Sequence, residues 1–383
     1  MVDCSGDTDS AGQGTKAAVR AFLLLLLLAG PGGARLVAQA PGPSRKVILV
    51  TLDGVRPAEF FGGMDSSIAA NPDSSGIGDS ARVWRAYWRA TRTERRRAVM
   101  PFFWDSLAPR GLVVGDPVLG GRATISNSQG FSAPGYLEIL TGRAQPEVTS
   151  NDPVRYPYET ILQFARRRLR LGPMQVVTFA SWENFRTYVS NRRGDVYVNA
   201  GFDTVPPAFS SPGLARLTAL QERALPAWEG SRLDAFTGGL ALEFLRQQRP
   251  PVMFVSFNDT DDFAHLRKYG RVLDAMQGAD QFLRDLWRAL QSLPAYRGST
   301  TLVITTDHGR GLTPGDWTDH GRETRGSAEI WLAVVGPTTP AGQGAGLNAT
   351  QSQVAATVLR CLGLDPAEFS TEAAPPLPGA CSR

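Results

Sequence analysis

Three short apolar runs, each leading into carboxylates, restrict this chain more than any other feature. Residues 301–306 read TLVITT and run into Asp307-His308-Gly309, and residues 46–52 read KVILVTL and run into Asp53-Gly54. Residues 252–257 read VMFVSF and lead through Asn258 into Asp259-Thr260-Asp261. Apolar, β-branched runs of this length form buried strands. In an open α/β sheet, groups just past the carboxyl ends of strands face the crevice where ligands bind. An α/β fold with a mostly parallel sheet and helices on both faces is therefore expected.

The chain has only three histidines. His308 follows Asp307, His265 stands four residues after Asp261, and His320 lies beyond a loop that carries Gly and Pro. A lone histidine is usually a satisfied core or surface group. Three, all beside aspartates after strands or in the following loop, point to metal ligation. Imidazole with carboxylate suits zinc, and manganese accepts similar ligands. Asp53 adds a further carboxylate at a strand end, although an Asp-Gly pair standing alone reads as an Asx turn or a helix cap.

Ser132, in Phe131-Ser132-Ala133-Pro134-Gly135-Tyr136, heads a segment whose Leu137, Ile139 and Leu140 predict a buried helix, with Pro134 acceptable in the first turn. A hydroxyl there meets the positive end of the helix dipole, which favours both an alkoxide and the anion it attacks. On this stretch alone a plain N-cap serine explains the residue equally well.

Composition limits the alternatives. A length of 383 residues and 42% hydrophobic content support one large core. The net charge of +4 rests on arginine, since Lys16, Lys46 and Lys268 are the only lysines. That is too weak and scattered for a nucleic-acid-binding module, while it is compatible with an anionic substrate. Lys16 and Arg20 precede the apolar residues 21–29, and Ala38-Gln39-Ala40 has the form of a cleavage site, so residues 1–40 read as a secretory leader. The apolar run is too short to span a bilayer, and an exported protein without a transmembrane segment in the mature chain is expected. Cys361 and Cys381 remain after the leader, as a disulfide or as two free thiols. Asn348-Ala349-Thr350 fits the glycosylation pattern.

Four stretches then occur in order: Leu52-Asp53-Gly54-Val55-Arg56, Ser132-Ala133-Pro134 with Leu140-Thr141-Gly142-Arg143 downstream, Asp261 to His265 as Asp-x-x-x-His, and Asp307-His308-Gly309 with the later His320. Together they resemble the alkaline phosphatase superfamily, most closely its nucleotide pyrophosphatase/phosphodiesterase branch, over about residues 46–335. The resemblance implies an alkaline-phosphatase-like fold and two divalent metal ions. One would be held by Asp261, His265 and His320, the other by Asp53, Asp307 and His308, with Ser132 as the nucleophile. It also places Asn151 near a position that binds a substrate oxygen, two residues short of the family spacing. Two ions roughly 3.5–4 Å apart stabilise both the attacking and the leaving oxygen of an in-line displacement.

The implied activity is hydrolysis of a small-molecule phosphate mono- or diester through a phosphoserine. A sulfatase is the nearest alternative, but its signature has an arginine where this chain has Tyr136. A phosphomutase of the same superfamily and a metal-dependent binding protein without turnover are the others. Residues 41–365 are expected to form the metallohydrolase domain, with insertions at about 62–121 and 181–232 that shape the pocket and a Pro-rich tail at 366–383. A helix is expected over 83–103, and the runs Arg95-Arg96-Arg97 and Arg166-Arg167-Arg168 read as solvated helix faces. Trp182, Phe185, Tyr188, Arg192 and Arg193 read as packing under a long loop rather than as a substrate cap.

Overall fold

The strand β1 (Lys46–Leu52) is buried along its whole length. Ile48, Val50 and Leu52 pack to one side and Val47 and Leu49 to the other. A strand that is apolar on both faces belongs in the middle of a covered sheet. The computed structural model, which describes residues 45–382, places it there. The expected leader, with its cleavage motif and Cys4, lies outside the described residues.

On one side β1 pairs with β6 (Val252–Phe257), followed by β4 (Val176–Ala180) and the edge strand β5 (Tyr197–Ala200). On the other it pairs with β7 (Thr300–Thr305), followed by β9 (Leu332–Val335), β2 (Gly111–Val114) and β10 (Gly342–Gln343). Within this eight-stranded sheet only β9 runs against the rest. A smaller sheet holds β11 (Asn348–Thr350), β3 (Arg122–Thr124) and β8 (Glu329–Ile330).

Helices cover both faces. Ser80–Tyr87, Arg92–Val99, Asp234–Gln248 and Tyr269–Ser292 close the side of Ile48. Ser132–Thr141, Ile161–Arg168 and Gln353–Cys361 close the side of Val47. The expected stripe Val272, Met276, Ala279, Leu283, Leu286 and Leu290 is buried throughout. Each large aliphatic side chain in it contributes about 1.5–3 kcal/mol on leaving water. With apolar runs on both sheet faces and helical stripes to match, the α/β architecture follows from the sequence pattern.

Several local expectations change. The helix over 83–103 is broken at residues 88–91, where the side chains of Thr91 and Glu94 cap the next helix reciprocally, and again at Met100, before the π-helical turn Phe103–Leu107. The arginines there do more than meet solvent. Arg95 lies 4.8 Å from the Trp88 ring centroid and Arg96 lies 3.8 Å from that of Trp104. Residues 62–121, expected to be an insertion that shapes the pocket, instead supply β2 to the central sheet and Val83, Val99 and Phe103 to the core. The expected strand over 329–335 is split at Trp331, whose buried ring stacks on Phe60 where the chain passes from the small sheet to the large one. Cys361 and Cys381 form a disulfide, and Leu377, Ala380 and Cys381 are buried against the second face. The disulfide thus ties the Pro-rich tail to the core through these residues. Among the described residues no helix is long and apolar enough to cross a membrane.

Candidate active site

Each acidic motif stands where a strand stops. β1 ends at Leu52 and Asp53 follows, β7 ends at Thr305 and Asp307 follows, and β6 leads into the short helix Asp259–His265. These three strands are adjacent, so side chains about 250 residues apart in the chain meet at one end of the sheet. Asp53, Asp307 and His308 are fully buried, and Asp261 and Ser132 nearly so.

His308 is the hub. Its Nε2 lies 3.4 Å from Asp53 Oδ1, 3.5 Å from Asp307 Oδ2 and 3.8 Å from Asp261 Oδ1. The Ser132 hydroxyl is 3.4 Å from the same nitrogen. His308 Nδ1 bonds to the Gly309 carbonyl at 2.8 Å, which fixes the ring and leaves Nε2 for the site. His320 Nε2 lies 3.0 Å from His265 Nε2 and 4.0 Å from Asp261 Oδ1. His265 Nε2 is 3.1 Å from Asp261 Oδ2. Seven of the eight residues singled out from the sequence therefore converge.

Among the described residues, two groups have ligand atoms within 4.8 Å of one another: Asp53, Asp307 and His308, and Asp261, His308 and His320. The first is the expected trio. In the second His308 stands where His265 was expected, and His265 joins through its contacts with Asp261 and His320.

The donor set fits a divalent cation. Asp53 Oδ1 and Asp307 Oδ2 are buried without a hydrogen-bond partner among the described residues, a costly state for a carboxylate oxygen unless a cation compensates it. Burial, and then the charge of Asp53, push the Asp307 carboxyl up to about 8. Burial works to lower His308, but Asp307 and Asp53 outweigh it and raise the imidazole to about 9. His320 is driven well below its ordinary range by burial and by the positive charges of His308 and Arg310, which keeps it in the neutral form that ligates metals.

Ser132 is the first residue of the helix Ser132–Thr141, and Phe131 at the N-cap makes no side-chain cap. Close packing puts the hydroxyl in place. A Cβ on Gly135 would stand 2.4 Å from the Asp307 carbonyl oxygen, so only glycine lets this helix rest directly on the metal-ligand strand end. Gly54 has a positive φ of 62°, and a Cβ there would lie 2.7 Å from Asp261 Oδ1. Asn151 is exposed at the head of this helix. Its Oδ1 accepts from the Ala133 amide at 2.9 Å, and its Nδ2 has no partner among the described residues.

Three residues that matter here are missed by the sequence reading. Tyr136, noted only as a departure from the sulfatase signature, donates to Asp53 Oδ2 at 2.8 Å and receives a bond from Ser256, which in turn receives one from Thr51. Glu138 is fully buried and accepts from the Ser126 and Asn127 amides and from Ser352, which pins the loop leading into Ser132. Arg310 lies buried with its guanidinium against the Asp261 carboxylate and the Thr318 carbonyl. Arg310 directly follows Asp307-His308-Gly309, the one local signal that was available. Trp182, Phe185 and Tyr188 form an aromatic cluster with Tyr136 beneath the Asn151 loop, as expected of packing, whereas Arg192 and Arg193, expected to pack with them, are exposed.

The type I phosphodiesterase / nucleotide pyrophosphatase family matches residues 157–328, which contain Asp261, His265, Asp307, His308 and His320 but not Asp53 or Ser132. Among solved structures, the lipoteichoic acid synthase LtaP from Listeria monocytogenes is 11% identical with a TM-score of 0.52, over 86% of this chain and 75% of that one. A candidate sulfatase from Bacteroides thetaiotaomicron is 12% identical with a TM-score of 0.52, over 88% and 74%. The phosphonate monoester hydrolase of Agrobacterium radiobacter is 14% identical with a TM-score of 0.49, over 86% and 78%. No curated protein matches by sequence. The fold is alkaline-phosphatase-like, and the family match falls on the phosphodiesterase branch over the third and fourth of the four motifs.

Proposed function

We propose that this chain of alkaline-phosphatase-like fold is an exported, metal-dependent hydrolase of small phosphate mono- or diesters that works through Ser132. The observation that carries the reading is the Ser132 hydroxyl at a helix N-terminus, 3.4 Å from His308 Nε2, above two buried carboxylate oxygens that lack partners. Export rests on the leader-like start of the sequence and agrees with the disulfide.

Asp53, Asp307 and His308 would hold one divalent ion, and Asp261, His265 and His320 a second, with zinc the best match to these donors and manganese next. When bound, such ions supply Lewis-acid stabilisation of negative charge and make a hydroxyl or water acidic enough to react at neutral pH. Ser132 gives up its proton and its oxygen bonds to phosphorus, while the ester oxygen leaves with the bonding pair and takes a proton. Water then attacks the phosphoserine, which releases phosphate or its monoester and restores the hydroxyl. The N-terminal end of the Ser132 helix faces the anion throughout. The free Nδ2 of Asn151 stands ready for a non-bridging oxygen, and Tyr136 keeps Asp53 in one orientation. No histidine is left over to serve as a general base, so the acidity of the Ser132 hydroxyl would depend on the Lewis-acid chemistry that an ion held by Asp53, Asp307 and His308 would supply.

A panel of aryl phosphate, bis-aryl phosphate and aryl sulfate, each with and without added zinc and with Ser132→Ala, tests the reading. Turnover of a phosphate ester that needs metal and is lost in the variant is expected. A preference for the sulfate, or turnover of none of the three, overturns it.

A further inference from the structure

A second charged region lies away from the metal ligands. Along the outer edge of β5 opens a pocket of about 450 Å³ lined by Arg155, Arg186, Arg192 and Arg193, with Tyr197 and Asp203. Four guanidinium groups meet one carboxylate there. Asp203 is already paired with Arg186, which also reaches Glu183. Arg155 donates to the carbonyls of Ser190 and Arg186, which fixes its fork without neutralising it. Arg192 and Arg193 are exposed and have no ion-pair partner among the described residues. The contrast with Arg166, Arg167 and Arg168 is informative, since each of those surface arginines has its own carboxylate in Asp195, Glu159 or Glu368. Burial, and then the charge of Arg193, hold Arg155 below its ordinary range, as expected where cations gather without an anion between them. Planar guanidinium forks match the oxygens of phosphate and sulfate.

The pocket is tied to the nucleophile by a short loop. Asn151 Oδ1 holds the Ala133 amide beside Ser132, and the Asn151 carbonyl is held by Asn184 and Tyr188. Arg155 comes four residues after Asn151, and four residues span at most about 14 Å. We propose that this pocket receives a second phosphate or sulfate group carried by the substrate. On the hydrolase reading above, the natural ester is then polyanionic, with one group at Ser132 and another oxyanion on the arginines.

Titration calorimetry on the metal-loaded Ser132→Ala protein, which cannot turn the ligands over, tests this with inorganic phosphate and with alkane diol bisphosphates and bissulfates of increasing chain length, with and without Arg192→Ala/Arg193→Ala; turnover of aryl phosphate is measured with Ser132 intact. These two exposed side chains can be removed without opening the core. Above a threshold length one of the two oxyanion series should bind at least about tenfold more tightly than its single-headed counterpart, because the second group binds at high local concentration. The double variant should erase that gain and leave the Kd for phosphate and the turnover of aryl phosphate within twofold. Affinity that does not depend on chain length, or a gain that survives the double variant, overturns the proposal. So does arginine-dependent binding of tripolyphosphate that does not compete with phosphate, which would make the pocket a site for a free anion. Absence of any ester turnover would sink the hydrolase reading alone, because the titrations are read without turnover.

Discussion

The floor of the candidate site and the arginine pocket beside β5 are both densely charged, and they are built in opposite ways. Asp53, Asp307 and His308 are sealed from solvent at the ends of central strands, and each is held by a further layer: Tyr136 on Asp53, the Gly54 amide on Asp307, the Gly309 carbonyl on His308. Arg192 and Arg193 stand in water on an edge, with no such layer. Buried charge needs fixed partners and suits chemistry, whereas exposed charge costs little to keep and suits attraction and discrimination. The difference teaches where substitutions will be felt: at the floor in catalysis and metal affinity, at the edge in substrate choice.

The largest break of this contrast is Ser132→Ala, which should cost about a thousandfold or more in turnover and leave bound metal, read by elemental analysis, unchanged. Full activity in that variant would move the chemistry elsewhere.

Acidity separates the two regions next. Without metal the Asp307 carboxyl lies at about 8 and the His308 imidazole at about 9, and ligation requires both deprotonated. Lowering the pH therefore adds protons that metal must displace, so affinity should fall about tenfold per unit per proton displaced below pH 8 and level off above 9. Calorimetry in buffers of different ionisation enthalpy counts those protons. Oxyanion binding at the arginines should follow the ligand's own ionisation instead.

Tyr136→Phe removes one hydrogen bond to Asp53 and keeps the ring in its aromatic cluster, so metal affinity should drop about tenfold while the melting temperature moves little. An unchanged affinity would mean that packing alone holds Asp53. The smallest effect belongs to the edge: Arg192→Ala/Arg193→Ala should leave the melting temperature within about 2 °C of wild type, as for surface substitutions without a cap or core role. A larger loss would show that these arginines support the fold.

The floor was legible in the sequence because strand, carboxylate and histidine are contiguous there. TLVITT followed by Asp307-His308 announces both the element and the ligands. Helical stripes such as Val272 to Leu290 were readable for the same reason, since their period is local. What the sequence withheld depends on distant partners. Tyr136 looks like any buried aromatic until the helix that bears it is laid against β1 and β6, and Arg310 looks like a surface cation until the loop folds it under Asp261. The place of β2 beside β9 is set by pairing across about 220 residues, which no local pattern encodes.

The position of β1 has a consequence for how this chain is made. Its partners are Val252 onward on one edge and Thr300 onward on the other, so β1, the first of the eleven described strands, waits for the sixth and the seventh. At ordinary elongation rates that wait lasts roughly ten to fifty seconds, with a mostly apolar strand open on both edges. Asp53 has no fellow ligand through that interval. On the proposed ligand sets, a cation would be captured only once His308 has been made, and a truncated product ending before Asp307 would be adhesive and would complete neither set.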